Sequence, residues 1–235
     1  MKRENWIAYV PFYLLVAIVF IGIAKSGSDA VTTIQQQTPP QRQHCIVIDA
    51  GHGGIDGGAT SCSGVLESAI NLEIALRLND LMHFLGYETV MIRTTDTSIH
   101  IQGNSIAAQK VSDLKERVRI VNETENAVLI SIHQNTFSDS RYSGAQVFYS
   151  DTQGSRELAV NLQTAFTKTV NSDSQRKSKT SKGIYLMDQI RCTGVLVECG
   201  FLSNPVEEER LRDRTYQQKM CCVIAATVGT YLSNT

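Results

Sequence analysis

Residues 45–58 read CIVIDAGHGGIDGG, a six-residue apolar-biased run closed by a segment in which five of eight residues are glycine. A short apolar run that stops at glycines predicts a buried strand with an abrupt end. Downstream, over residues 65–85, Leu66, Ile70, Ile74, Leu78, Leu81 and Leu85 recur at helical spacing, and Gly86 stands where a helix-ending glycine belongs. Strand, glycine loop and helix therefore form the opening unit. Working outward, ETVMIR (88–93), AVLISIH (127–133), AQVFYS (145–150) and GVLVECGF (194–201) predict strands, with GIYLM (183–187) as a further short one. Helices are expected from Ser112 to about Val121 and from Ser155 to Val170, and two more finish the chain. Alternating strands and helices predict an α/β domain whose largely parallel sheet is covered on both faces.

The chain has 235 residues, a formal net charge of -1, 42% hydrophobic residues and four prolines. That balance lacks the strongly basic footprint of a dedicated nucleic-acid binder, so no nucleic-acid partner is expected. It equally excludes disorder throughout. The average conceals an asymmetry. Residues 6–24, WIAYVPFYLLVAIVFIGIA, contain no charge, follow Lys2 and Arg3, and precede Lys25. Nineteen residues at about 1.5 Å each just cover a hydrocarbon core of roughly 30 Å. Residues 1–25 are expected to be a signal peptide or a signal anchor, with the body exported. Residues 26–43, with Pro39-Pro40, read as a flexible linker. One domain over 44–235 follows, large enough for a single core. Lys2, Arg3 and Lys25 against Glu4 leave +2 on residues 1–25, so the remainder carries -3. The six cysteines show no paired spacing, and Cys45 and Cys199 read as small buried thiols.

Three strands deliver an ionisable residue at or near their C-terminal ends: His52 after CIVIDA, His133 closing AVLISIH, and Glu198 within GVLVECGF. Sites in open α/β sheets collect outside that edge. Glu67 opens the helix after the glycine loop and should neighbour His52. Two histidines, a carboxylate and an open position make the ligand set of a catalytic zinc site, and a second carboxylate can serve as general base. Asn71, four residues after Glu67 on the same helical face, could orient that carboxylate. Each residue also has a plainer reading: a hydrogen-bonded surface histidine, or a glutamate favouring a helix dipole. Glu198 resists it, because a buried unpaired carboxylate is costly. Spacing alone leaves both readings open. His44, His83 and His100 lack such placement.

The ordered set IVIDAGHGGIDGGA, GVLESAINLEIALRL, IRTTD, ERVRIVNETENAVLISIHQN, GAQVFY and GVLVECGFLSNPVEEERL resembles the zinc-dependent N-acetylmuramoyl-L-alanine amidases over about residues 45–233. An N-terminal anchor with no wall-binding module is similar to the germination-specific, spore-cortex subgroup of spore-forming bacteria. The resemblance implies a twisted, mostly parallel sheet of about six strands with helices on both faces. It also implies cleavage of the amide between the muramic acid lactyl group and the L-Ala of the peptidoglycan stem peptide. His52, Glu67 and His133 stand where the family keeps the ligands of one Zn2+, and Glu198 where it keeps the catalytic glutamate. The subgroup's product is expected to feed a deacetylase that closes muramic-δ-lactam, in an extracytoplasmic, forespore or cortex setting. Gln134 replaces the small residue of the family's SIHAN, which bears on local packing or a substrate contact.

Competing expectations are another wall-amide metallohydrolase, a thiol hydrolase using Cys199 with His133, and a non-catalytic wall-binding domain. In the thiol reading Cys199 and Glu198, adjacent on one strand, face opposite ways, so only one can serve the site. A nucleotide cradle is disfavoured, since GHGGIDGG is followed by no Lys-Ser/Thr pair.

Overall fold

The computed structural model describes residues 44–172 and 174–235, so the expected leader and linker at 1–43 lie outside the described residues. Six strands occur among them: β1 (Cys45–Ala50), β2 (Glu88–Met91), β3 (Ala127–Asn135), β4 (Gln146–Tyr149), β5 (Lys179–Thr180) and β6 (Thr193–Phe201). Six helices connect or follow them: α1 (Glu67–Phe84), α2 (Ile106–Glu123), α3 (Ser155–Thr169), α4 (Tyr185–Gln189), α5 (Pro205–Arg212) and α6 (Arg214–Leu232). They build one sheet in the order β2-β1-β3-β6-β4-β5, parallel throughout except where β4 runs antiparallel to β6.

Apolar strands buried on both faces need cover on both, and alternate side chains divide accordingly. Ile46, Ile48, Ile130, Ile132, Val195 and Val197 face a core closed by α1, α3 and α6. Val47, Leu129 and Leu196 face the other way, against Val121 of α2 and Leu186 and Met187 of α4. Fully burying such a side chain contributes about 1.5–3 kcal/mol. The centre of the sheet, β1-β3-β6, is thereby the most rigid ground on which a site could stand.

Two expectations required correction. The helix placed from Ser112 begins at Ile106, capped by Ser105, whose hydroxyl accepts from the Ala108 amide at 3.2 Å. Its first turns carry exposed Ile106 and Val111, so no apolar stripe marks them. GIYLM is no strand. Its Tyr185–Met187 portion opens α4, and the edge strand is the preceding, polar Lys179–Thr180. A two-residue exposed strand offers no alternation to detect, while Leu186 and Met187 are buried as neighbours on a short helix. Helix α1 ends as expected, with Gly86 at φ +86° donating to the His83 carbonyl at 2.9 Å.

Candidate active site

Sheet register sets out the site. The Gly51 amide donates to the Ile132 carbonyl at 3.0 Å, so the chain leaves β1 level with His133. His133 is paired with Glu198 across β3 and β6, and Glu198 with Gln146 across β6 and β4. Directly paired residues share a face, so His133, Glu198 and Gln146 form one row. Gly51 has no room for a side chain: a Cβ there would lie 2.2 Å from His133 Nε2.

The glycine loop then turns His52 back toward that row. His52 adopts φ +61°, a left-handed conformation that costs a non-glycine residue roughly 1–2 kcal/mol. Several contacts hold it there. Its carbonyl accepts from Arg117 Nη2 at 2.7 Å, its Nδ1 meets Asp56 Oδ2 at 2.9 Å, and its Nε2 faces Glu67 Oε2 at 3.3 Å. Asp56 is fixed in turn by Lys110, whose Nζ lies 2.8 Å from Oδ1. Below the loop, buried Arg93 donates to the carbonyls of Ala50, Gly51 and Ser68 at 2.8–3.0 Å. Arg117, also buried, bonds Ala50 O at 3.0 Å and is neutralised by Asp49 and Asp113. Two buried guanidiniums thus satisfy the carbonyls that a glycine loop would leave bare.

Helix α1 supplies Glu67 at its first position. Its N-cap, Leu66, cannot cap with a side chain, and the loop compensates: Glu67 N donates to Ala59 O at 2.8 Å and Ser68 N to Gly57 O at 3.1 Å. The Glu67 carboxylate is buried and held from five directions. It accepts from the amides of Ala59 (2.9 Å) and Gln134 (3.2 Å) and from Asn71 Nδ2 (3.2 Å), and meets His133 Nδ1 at 3.0 Å and His52 Nε2. Burial alone would raise its pKa, but the two imidazoles hold it well below the carboxylate range. Burial likewise opposes charge on His52, yet Glu67 and Asp56 outweigh it and raise its pKa to about 9.

Glu198 has the opposite setting. Its Oε2 is shielded from solvent and has no hydrogen-bond partner among the described residues. Burial pushes its pKa up to about 7 against the pull of His133. A cavity of about 270 Å3 adjoins His52 and His133, walled by Leu114, Ile184, Leu186 and Leu196.

The structure therefore brings together His52, Glu67, His133 and Glu198, with Asn71 bonding Glu67 and also Gly51 O at 3.1 Å. One ligand atom from each of His52, Glu67 and His133 lies within 4.8 Å of the others, a set able to hold a metal ion. Two imidazoles with one carboxylate and an open side fit zinc. Gln134 is a packing residue: it is buried, and its Nε2 donates to Asn71 Oδ1 at 3.1 Å. Cys199 points into the core opposite Glu198, fully buried, with its thiol pKa pushed far up by burial, which removes it as a nucleophile. All six cysteines are free thiols. His83 and His100 lie elsewhere, bonding Thr89 and Ser98. Reasoning from sequence missed Asp56, Arg93 and Arg117. A signal existed for Asp56, an acid four residues from His52 inside the glycine run, and none for the arginines.

The N-acetylmuramoyl-L-alanine amidase family model matches residues 46–229. The germination-specific N-acetylmuramoyl-L-alanine amidase of Bacillus subtilis (strain 168) is 32% identical over 234 residues, covering 99% of this chain and 96% of the relative. Among solved structures, the CwlD amidase of Clostridioides difficile, in complex with the GerS lipoprotein, superposes with a TM-score of 0.78 at 37% identity, covering 82% of this chain and 100% of that one. An N-acetylmuramoyl-L-alanine amidase of Clostridium difficile 630 gives 0.71 at 29% identity, covering 82% and 98%. With its fold, its strand-end cluster and its sequence all in agreement, the chain belongs to the N-acetylmuramoyl-L-alanine amidase family.

Proposed function

We propose that the protein hydrolyses the amide between the lactyl group of N-acetylmuramic acid and the L-Ala of the peptidoglycan stem peptide. The observation that carries this reading is the pairing of a two-histidine, one-carboxylate cluster with Glu198, whose shielded Oε2 has no hydrogen-bond partner among the described residues. One Zn2+ would be held by His52, Glu67 and His133. When bound, it supplies the Lewis acidity that polarises an amide carbonyl and acidifies water.

The chain's own residues do the rest. Asp56 on Nδ1 of His52 leaves Nε2 directed at the cluster, and Asn71 with the Gln134 amide keeps Glu67 oriented. Glu198, with its pKa near 7, takes a proton from the attacking water as oxygen bonds to the carbonyl carbon. It returns that proton to the departing L-Ala nitrogen as the C–N bond breaks. The products are a free lactyl carboxylate and a peptide with an amino terminus.

The cortex setting follows the name of the Bacillus relative. There a deacetylase would remove the N-acetyl group of the same muramic acid, and the freed amine would close on the lactyl carboxylate with loss of water to give muramic-δ-lactam, so cooperation with it would be sequential on the glycan. The Clostridioides relative was solved with a lipoprotein, a different class of partner. Residues 1–25 would export the chain and hold it at the membrane unless cleaved, and 26–43 would tether the domain. No helix among the described residues is long and apolar enough to cross a membrane.

The test is direct. The intact chain with zinc is incubated with purified peptidoglycan, and the released ends are identified by mass spectrometry. Stem peptides beginning with a free L-Ala amine should accumulate, cease on chelation and resume on adding Zn2+. Cleavage at any other bond rejects the assignment.

A further inference from the structure

The domain's charge is not evenly spread. Along the exposed side of α3, Arg156, Val160, Thr164 and Lys168 recur every four residues, one row of the helix surface. Facing them across a groove of about 430 Å3 are Arg176 and Lys177, from the segment that leads into β5. Arg156, Lys168, Arg176 and Lys177 line this groove with no acid among the described lining residues, and none of the four makes an ion pair with a described residue. Lys110, beside the reaction centre, differs in having its charge spent on Asp56.

Arg176 joins this groove to the active site. Its Nε donates to Ser143 O at 2.8 Å and its Nη1 to Gln146 Oε1 at 2.9 Å, and the guanidinium lies 4.5 Å from the centre of the Phe201 ring. These hydrogen-bond partners are neutral, while the charge also acts on buried Glu207, so the cation is oriented and only partly balanced. Gln146 is the β4 neighbour of Glu198 in the same row of side chains. Arg176 thus reaches from the groove to the row of the proposed catalytic carboxylate, although α3 itself packs on the opposite face of the sheet. From Arg156 to Lys168 the groove runs along α3 for about 18 Å, the length of roughly five extended peptide residues.

We propose that this groove is a second binding site, for the carboxylates of stem peptides in the intact wall, which docks the enzyme beside the bond to be cut. The proposal rests on the wall-amidase reading above. A domain carrying a net negative charge would be repelled by a polyanionic wall at most of its surface, and a local row of cations that make no ion pair with a described residue, linked to the cleft through Arg176, reverses that where orientation matters. Several weak contacts with a polymer add through effective concentration, so each need not be strong.

The experiment measures sedimentation binding of the intact Glu198→Gln chain to insoluble peptidoglycan, so that the wall is not digested. The wall is first stripped of phosphate polymers with hydrofluoric acid, and half of it is then amidated at its carboxylates. Binding should survive stripping, weaken about tenfold on amidation, and weaken similarly in the Arg156→Gln/Lys168→Gln chain, with no additional loss when both changes are combined. Lys168→Glu, a single exposed change, serves if the double variant melts at a lower temperature. Binding lost on phosphate stripping, binding equal on native and amidated wall, unaltered binding by the variants, or tighter binding to anionic lipid vesicles than to wall would each overturn the proposal. Hydrolysis of a soluble muramoyl-tripeptide by the unmutated chain tests the active-site reading separately.

Discussion

The start of α1 and the end of β6 each deliver one glutamate to the same edge of the sheet, and the two are treated in opposite ways. Glu67 is surrounded by donors, two backbone amides, an asparagine and two imidazoles, and is held ionised. Glu198, one strand over from His133, receives no hydrogen bond to its buried oxygen from the described residues, and burial raises its pKa to about 7. Chemically identical groups are separated by environment alone: one is suited to permanent negative charge, the other to gaining and losing a proton near neutral pH.

Exchanging each for its amide is the sharpest way to break this contrast. Glu198→Gln should keep stoichiometric zinc by elemental analysis while amide hydrolysis falls by about 10^2–10^4-fold. Glu67→Gln should lose the metal itself, and with it activity. Equal zinc loss in both variants would show that the two glutamates are not divided between holding and reacting. A smaller effect is expected one step out. Asp56→Ala should weaken zinc binding about 10–100-fold in chelator competition, because His52 loses the acceptor that orients its ring, with the fold retained. Native affinity in that variant would mean that the left-handed loop positions His52 unaided.

The mildest effect is on pH. In the metal-free protein His52 has its pKa raised to about 9, so zinc must displace a proton and its affinity should climb as pH rises toward that value. Calorimetry in buffers of different ionisation heat counts the proton released. A raised pKa also means that the His52 contacts stabilise the metal-free fold below the unfolded value of 6.5 and cease to do so as pH rises through about 9. A thermal unfolding series with and without zinc should diverge in that window.

Much of this edge was legible in the sequence because buried parallel strands leave so few positions for polar residues. In CIVIDAGH, AVLISIH and GVLVECGF an ionisable group stands beside a run of apolar ones; each histidine alone has a plain explanation, Glu198 resists one, and the helix beginning at Glu67 follows at once. Register, by contrast, is a property of the sheet. Nothing in either strand says that His133 would lie opposite Glu198, or Gln146 beside it. The arginine supports were hidden for a related reason. Arg93 lies just beyond β2 and Arg117 sits in mid-helix, where an arginine is ordinarily solvated, and their partners are mostly backbone carbonyls, which have no sequence signature. The early turns of α2 and the two-residue β5 were lost because exposed elements carry little hydrophobic pattern.

The sheet's outer strands have a consequence for life at high density. β2 spans four residues and begins with exposed Glu88, and β5 spans two exposed residues, one of them Lys179. Long, flat, apolar edges recruit strands from neighbouring molecules, whereas short charged ones do not. A domain ended in this way can be crowded against its own copies on a surface without their sheets joining.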